Sequence, residues 1–149
     1  MSGEAQGMSR IRLDQATTCI AATLEKAASL GLKPLAVVVL DTGGELIAGQ
    51  RQDGASSGRV RLATGKAAGA LFLGVSSRVI AGMAAERPSF VASLGPIASG
   101  GLIPAPGGII VVGDDGQPIG AVGASGDTSD NDEACVLAGI VAAGLHAAV

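Results

Sequence analysis

The chain has 149 residues, the usual size of one domain, and its 48% apolar content suffices to bury a core without disulfide or metal staples. Its net charge is -3 and its basic residues are scattered, which excludes the electrostatic footprint of a polyanion-binding protein. With 24 Gly, 2 Phe and neither Trp nor Tyr, there is no platform for stacking nucleic-acid bases, and the core must be built from Ala, Val, Leu and Ile.

Met1 to Gln6 hold an acid and no apolar run, so they do not read as a signal peptide. Residues 1–11 are expected to form a flexible tail on a single domain spanning 1–149, in the cytoplasm. Leu13, Ala16, Ile20, Ala27 and Leu30 recur near helical spacing, with Asp14 in the first turn and Gly31 and Pro34 beyond the end; this is the first helix. Leu35 to Leu40 is a continuous apolar strand. After Asp41-Thr42-Gly43 the chain returns in alternation from Glu45 to Arg51, and Asp53-Gly54 ends the hairpin.

Arg59 to Gly74 reads as a second helix containing Gly65 and Gly69, each costing about 1 kcal/mol relative to Ala, so something should press close against that face. Ser76 or Ser77 caps a third helix that reaches Arg87 and stops at Pro88. Pro88 to Gly113 carries no charge and is broken by Pro96, Pro104 and Pro106; it cannot be a membrane helix and reads as a buried or ligand-facing loop. Ile109 to Val112, Asp114-Asp115-Gly116 and Ile119 to Val122 form a second hairpin. A helix then runs from about Asp130 to the end, with Ala134, Leu137, Ala138, Val141 and Leu145 as its apolar stripe.

The two hairpins echo each other. Val38 to Leu46 and Val111 to Ile119 both read V-V-x-D-x-G-x-x-[LI], which aligns Asp41 with Asp114 and Gly43 with Gly116. An Asp can bond the backbone two residues on, and the following Gly can take the left-handed conformation. The order helix, hairpin, two helices, hairpin, helix predicts an α+β fold, with a mostly antiparallel central sheet built from two hairpins and helices packed on its faces.

Few residues are suited to chemistry. Lys66 shares a helix face with Leu62, Gly69 and Leu73; it either snorkels outward or is desolvated and serves as general base, general acid or anion anchor. Asp127, Asp130, Asp132 and Glu133 surround the start of the last helix, more acids than a capping box needs, so Asp132 or Glu133 is expected to face a pocket in company with Lys66. The spacing from Asp127 fails the EF-hand pattern. Arg51 and Asp53 are placed to orient a carboxylate. Gly107 and Gly108 allow close backbone approach, to a ligand or within a turn. Ser125, in the small-residue loop before the last helix, has no His/Asp partner in view, so a hydrolase triad is not supported. His146 falls on the terminal helix. Cys19 and Cys135 read as buried free thiols, and no metal site is expected.

The segments L-A-V-V-V-L-D-T-G-G-E-L-I-A, R-Q-D-G-A from Arg51, G-K-A-A-G-A around Lys66, P-G-G-I-I-V from Pro106 and G-A-V-G-A-S-G-D-T-S-D-N-D-E-A from Gly120 together resemble the GlcG and HbpS haem-binding-like family, which also supplies the C-terminal domain of PduO proteins. The resemblance spans roughly Leu13 to Leu145. It implies a profilin-like fold, homo-oligomers from dimer to octamer, a small-ligand pocket, and haem as the cofactor bound or degraded. The chain departs from an ordinary haem binder in having one histidine, His146, and almost no aromatic residues. Beside that expectation stand two others. One is a cofactor-independent isomerase, hydratase or lyase acting on a small carboxylate or carbonyl compound, with Lys66, Asp132 and Glu133 catalytic and Arg51, Asp53, Gly107, Gly108 and Ser125 holding the ligand. The other is a structural assembly subunit without ligand. Neither nucleic acid nor membrane is expected as a partner.

Overall fold

The computed structural model describes residues 9–148. Helix α1 (Leu13–Ser29) leads into the hairpin β1 (Ala36–Leu40) and β2 (Leu46–Arg51). Helices α2 (Arg59–Leu73), α3 (Ser77–Glu86) and α4 (Pro88–Leu94) follow, then the hairpin β3 (Gly108–Val112) and β4 (Pro118–Ser125). Helix α5 (Ser129–Ala142) and a short strand β5 (His146–Ala147) complete the chain. All pairings are antiparallel, in the order β2-β1-β4-β3-β5, so the two hairpins join through β1 and β4 at the centre. The fold is α+β, as expected.

The uninterrupted apolar run of β1 follows from its position. Val37 and Val39 pack under α1 and α5, while Val38 and Leu40 face α2 on the opposite side, so every residue of the strand is buried. The α1/α5 side holds the branched residues, among them Ile20, Val122, Val136 and Ile140. The α2 side is built from Ala63, Ala67, Ala68 and Ala121. A Cβ on Gly123 would stand 2.1 Å from the Ala63 carbonyl oxygen, and one on Gly108 would stand 2.2 Å from that of Lys66. Glycine on the sheet and alanine on the helix thus bring backbone against backbone. On its outer side α2 carries Gly65 and Gly69 under Ile103 and Leu102, the close neighbour that two helical glycines predict.

Four details differ from the sequence reading. The repeat is displaced by one residue: Gly44 and Gly116, both at φ 80°, are the left-handed glycines, and the closing bonds run Gly44 N–H to Asp41 O and Gly116 N–H to Gly113 O. The ladder irregularities, between Val39 and Leu40 and between Val111 and Val112, match in this shifted alignment. Pro88 to Gly113 is not all loop, because Pro88 occupies the first turn of α4, where a missing N–H costs nothing. Helix α5 stops at Ala142, and His146 lies on the edge strand β5 against Val112. Residues 1–8 of the expected tail lie outside the described residues, and its last residue, Ile11, is buried in the core under α1.

Candidate functional site

Lys66 points from the sheet-facing side of α2 to the end of β4. Its Nζ donates to the Ala124 carbonyl at 3.0 Å and to Asp132 Oδ2 at 3.2 Å. Both residues are closed to solvent, at 3% and 1% exposure. Burial lowers the Lys66 pKa below its ordinary 10.5, the Asp132 carboxylate opposes that fall, and the Arg59 charge adds to it. Asp132 reaches Lys66 from the first turn of α5. Its other oxygen accepts from the Asp127 N–H at 3.0 Å, so the carboxylate fastens the β4–α5 turn to α2. The cap of α5 is Thr128, whose hydroxyl accepts from the Asn131 N–H.

Glu133 does not join Lys66. It and Asp130 both accept from the Arg78 guanidinium on α3, forming a surface clamp between α3 and α5. Asp127 accepts from Asn131 Nδ2 at 2.8 Å and from the Lys33 N–H at 3.1 Å, and these bonds hold its pKa down at about 2.

Gly107 and Gly108 serve close packing. Gly107 has φ 125°, and a Cβ there would lie 2.9 Å from Ala124 O and 3.0 Å from Lys66 Nζ, so the residue closes directly over the ammonium. The Gly108 N–H donates to Ser77 Oγ at 2.7 Å, and that hydroxyl donates back to Gly108 O at 3.3 Å, tying α3 to β3. Ser77 gives no sign of this role in the sequence, because its partner is 31 residues away.

Ser125 ends β4, is 2% exposed, and accepts from Arg59 Nη1 at 3.2 Å. Arg59 escaped the sequence reading; the available signal was an arginine at the start of a helix whose first turn holds no acid. Arg51 ends β2. It pairs with Ala36, which pairs with Ser125, so all three share one row and one face of the sheet. Arg51 and Asp53, with Gln52, Ala27, Leu32 and Pro34, also border an open cleft of roughly 580 Å³. No ion pair joins Arg51 to Asp53 among the described residues. The sites expected near each other therefore divide: Lys66, Asp132, Gly107 and Ser125 come together, while Glu133 faces α3 and Asp53 lies at the cleft.

Fold and site define a three-layer α+β protein, with a Gly/Ala-packed helix on one face of an antiparallel sheet and a sealed Lys–Asp pair at the end of β4, tying that helix to the first turn of α5. Residues 11–141 match the family described as haem-degrading protein HbpS-like, and the chain belongs to this family. Among solved structures it is similar to a double mutant of HbpS from Streptomyces reticuli, at 26% identity and a TM-score of 0.77 over 95% of this chain and 92% of that one. It is likewise similar to the protein ORFY from Klebsiella pneumoniae, at 26% identity and a TM-score of 0.81 over 97% of each chain. A complex of PduOC with haem shares the fold at 21% identity and a TM-score of 0.81, over 92% of this chain and 97% of that one. No curated protein matches the chain by sequence.

The described residues fit part of a haem. Arg51, Arg59 and Ser125 suit the propionate edge, whose carboxylates take forked hydrogen bonds from guanidinium groups. On the side of the iron, the imidazole of His146 stands exposed on an edge strand, and Cys19 and Cys135 are buried between α1, α5 and the sheet. Among the described residues no three His, Cys, Asp or Glu side chains cluster as a metal site, and no single helix is long and apolar enough to cross a membrane.

Proposed function

We propose that this chain is a small-ligand-binding protein of the HbpS-like type and that haem is its ligand. The match of residues 11–141 to the haem-degrading family carries the reading. Arg51, in the sheet row of Ser125, and Arg59, bonded to Ser125 from the start of α2, support it on the side of the propionates. The position of His146 argues for a haem held by its edge and faces, so no degradation step is assigned to these residues. Titration of the full chain with hemin should give a saturable shift of the Soret band at micromolar concentration, nearly unchanged in His146→Ala; absence of any saturable shift overturns the reading.

A second reading rests on the Lys66–Asp132 pair. A lysine with a lowered pKa next to a carboxylate is the arrangement of an acid/base catalyst, and a small carboxylate or carbonyl compound would be its substrate. The closure of Gly107 over the ammonium weighs against it, since a substrate would have to displace that backbone. Under this reading Lys66→Ala abolishes turnover of an identified substrate, and retained turnover dismisses it.

We also propose self-association through the outer helices. Leu13 on α1 and Val141 on α5 are 63% and 75% exposed, which is costly to leave in water for a chain poor in aromatic anchors. Light scattering of the purified chain tests it, a monomer being the contrary result.

A further inference from the structure

Arg59 is the first residue of α2 and is half-buried, and among the described residues its one side-chain hydrogen bond goes to a serine. Among the described residues neither Arg59 nor Arg61 forms an ion pair, and the first turn of α2 contains no acid. Two arginines at a helix N-terminus oppose the helix dipole, and Arg59 also repels the nearby Lys66 ammonium. The second observation is Ser125 itself. Its hydroxyl accepts from Arg59, but its own proton has no acceptor among the described residues, and at 2% exposure bulk water does not serve it. A buried donor and a half-buried guanidinium fork thus sit side by side without an anion. Arg51 stands two strands away from Ser125 in the same row of the sheet.

We propose that Arg59, Ser125 and Arg51 form a subsite for a carboxylate group of a small ligand, at the end of the sheet where α2 begins. The planar fork of Arg59 suits a carboxylate held by two parallel hydrogen bonds, and the Ser125 proton supplies a third donor. The charge of the ligand would also offset the repulsion between Arg59 and Lys66. This inference rests on the reading that the chain binds a small ligand, but not on that ligand being haem. The carboxylate belongs either to a free organic acid or to a porphyrin propionate.

Calorimetric titration of the full chain with succinate, hemin and hemin dimethyl ester separates the two sources. Arg59→Gln and Ser125→Ala are compared with wild type, and Arg87→Gln, whose guanidinium stacks on Phe90, serves as control. Both test variants should keep the wild-type circular dichroism, because Arg59 is half-exposed and Ser125→Ala removes only a hydroxyl. For whichever carboxylate binds, Arg59→Gln should weaken affinity about 10-fold or more and Ser125→Ala by a smaller factor, with Arg87→Gln unchanged. If hemin is the ligand, its dimethyl ester should lose a similar factor on the wild-type chain. Hemin bound equally by wild type and Arg59→Gln overturns the subsite and leaves the haem reading standing. Succinate binding that depends on Arg59, with no hemin binding, does the reverse. No binding of either carboxylate overturns the subsite.

Discussion

Asp132→Asn removes one charge from a sealed pair and keeps the side-chain volume. In the native chain the Lys66 ammonium has two oxygen partners, Ala124 O at 3.0 Å and Asp132 Oδ2 at 3.2 Å, and 3% exposure. The substitution removes the countercharge, and the single amide oxygen that remains cannot accept from both Lys66 and the Asp127 N–H. Breaking one side of a buried pair costs about 3–5 kcal/mol, out of a total stability on the order of 5–15 kcal/mol. For a chain of this size each kcal/mol moves Tm by about 2–4 °C, so a fall of roughly 10 °C is expected at neutral pH. The pH dependence identifies the cause. The folded pKa of Lys66 lies below its ordinary 10.5, so the unfolded chain binds more protons in the window between the two values. Stability from this group therefore rises as pH increases through that window and is lost as pH falls through the folded value. Without Asp132 the folded value drops further, and Lys66 gives up its proton closer to neutrality. The gap in Tm between Asp132→Asn and wild type should then narrow as pH rises towards 10.5, read by thermal unfolding across a pH series. A gap that is absent, or that is constant with pH, refutes the buried pair as a clamp. The double variant Lys66→Met, Asp132→Leu should recover most of the loss, since an apolar pair of similar volume is often neutral.

Three further outcomes follow from the same geometry. Gly123→Ala places a methyl 2.1 Å from the Ala63 carbonyl oxygen and forces α2 off the sheet; urea unfolding should show a loss of about 3 kcal/mol, and a loss under about 0.5 kcal/mol contradicts the close packing. Asp127 is held at about 2, below its ordinary 3.8, so its contribution is complete above 3.8 and disappears as pH falls through about 2. Asp127→Asn should accordingly narrow the acid-stability margin, visible as an unfolding midpoint at higher pH than wild type. Burial pushes the Cys19 thiol up to about 11 and also raises Cys135, so neither should react with a thiol reagent in the native chain at neutral pH, while both react on unfolding; fast native labelling would dispute their placement in the core.

Local sequence chemistry set which elements form. Apolar periodicity, turn glycines and caps act over a few residues, so α1, the two hairpins and α2 were legible from local chemistry, and the paired glycines of α2 announced the loop that presses on them. Local pattern failed where two signals compete within a few residues. The hairpin repeat aligned on its aspartates, but it is the left-handed glycines that set the turn, and those differ by one position. The uncharged stretch after Pro88 concealed a short helix, because a proline reads as a breaker and also as a helix start. The partnerships of the charged residues arise from long-range packing. Asp132 and Glu133 are adjacent in sequence, and helical geometry turns one under β4 towards Lys66 and the other out to Arg78. Lys66 and Asp132 stand 66 positions apart, as do Arg59 and Ser125. Pairs at that separation meet because β1 and β4 join at the centre of the sheet and bring both hairpins under α2, a contact that no local period encodes.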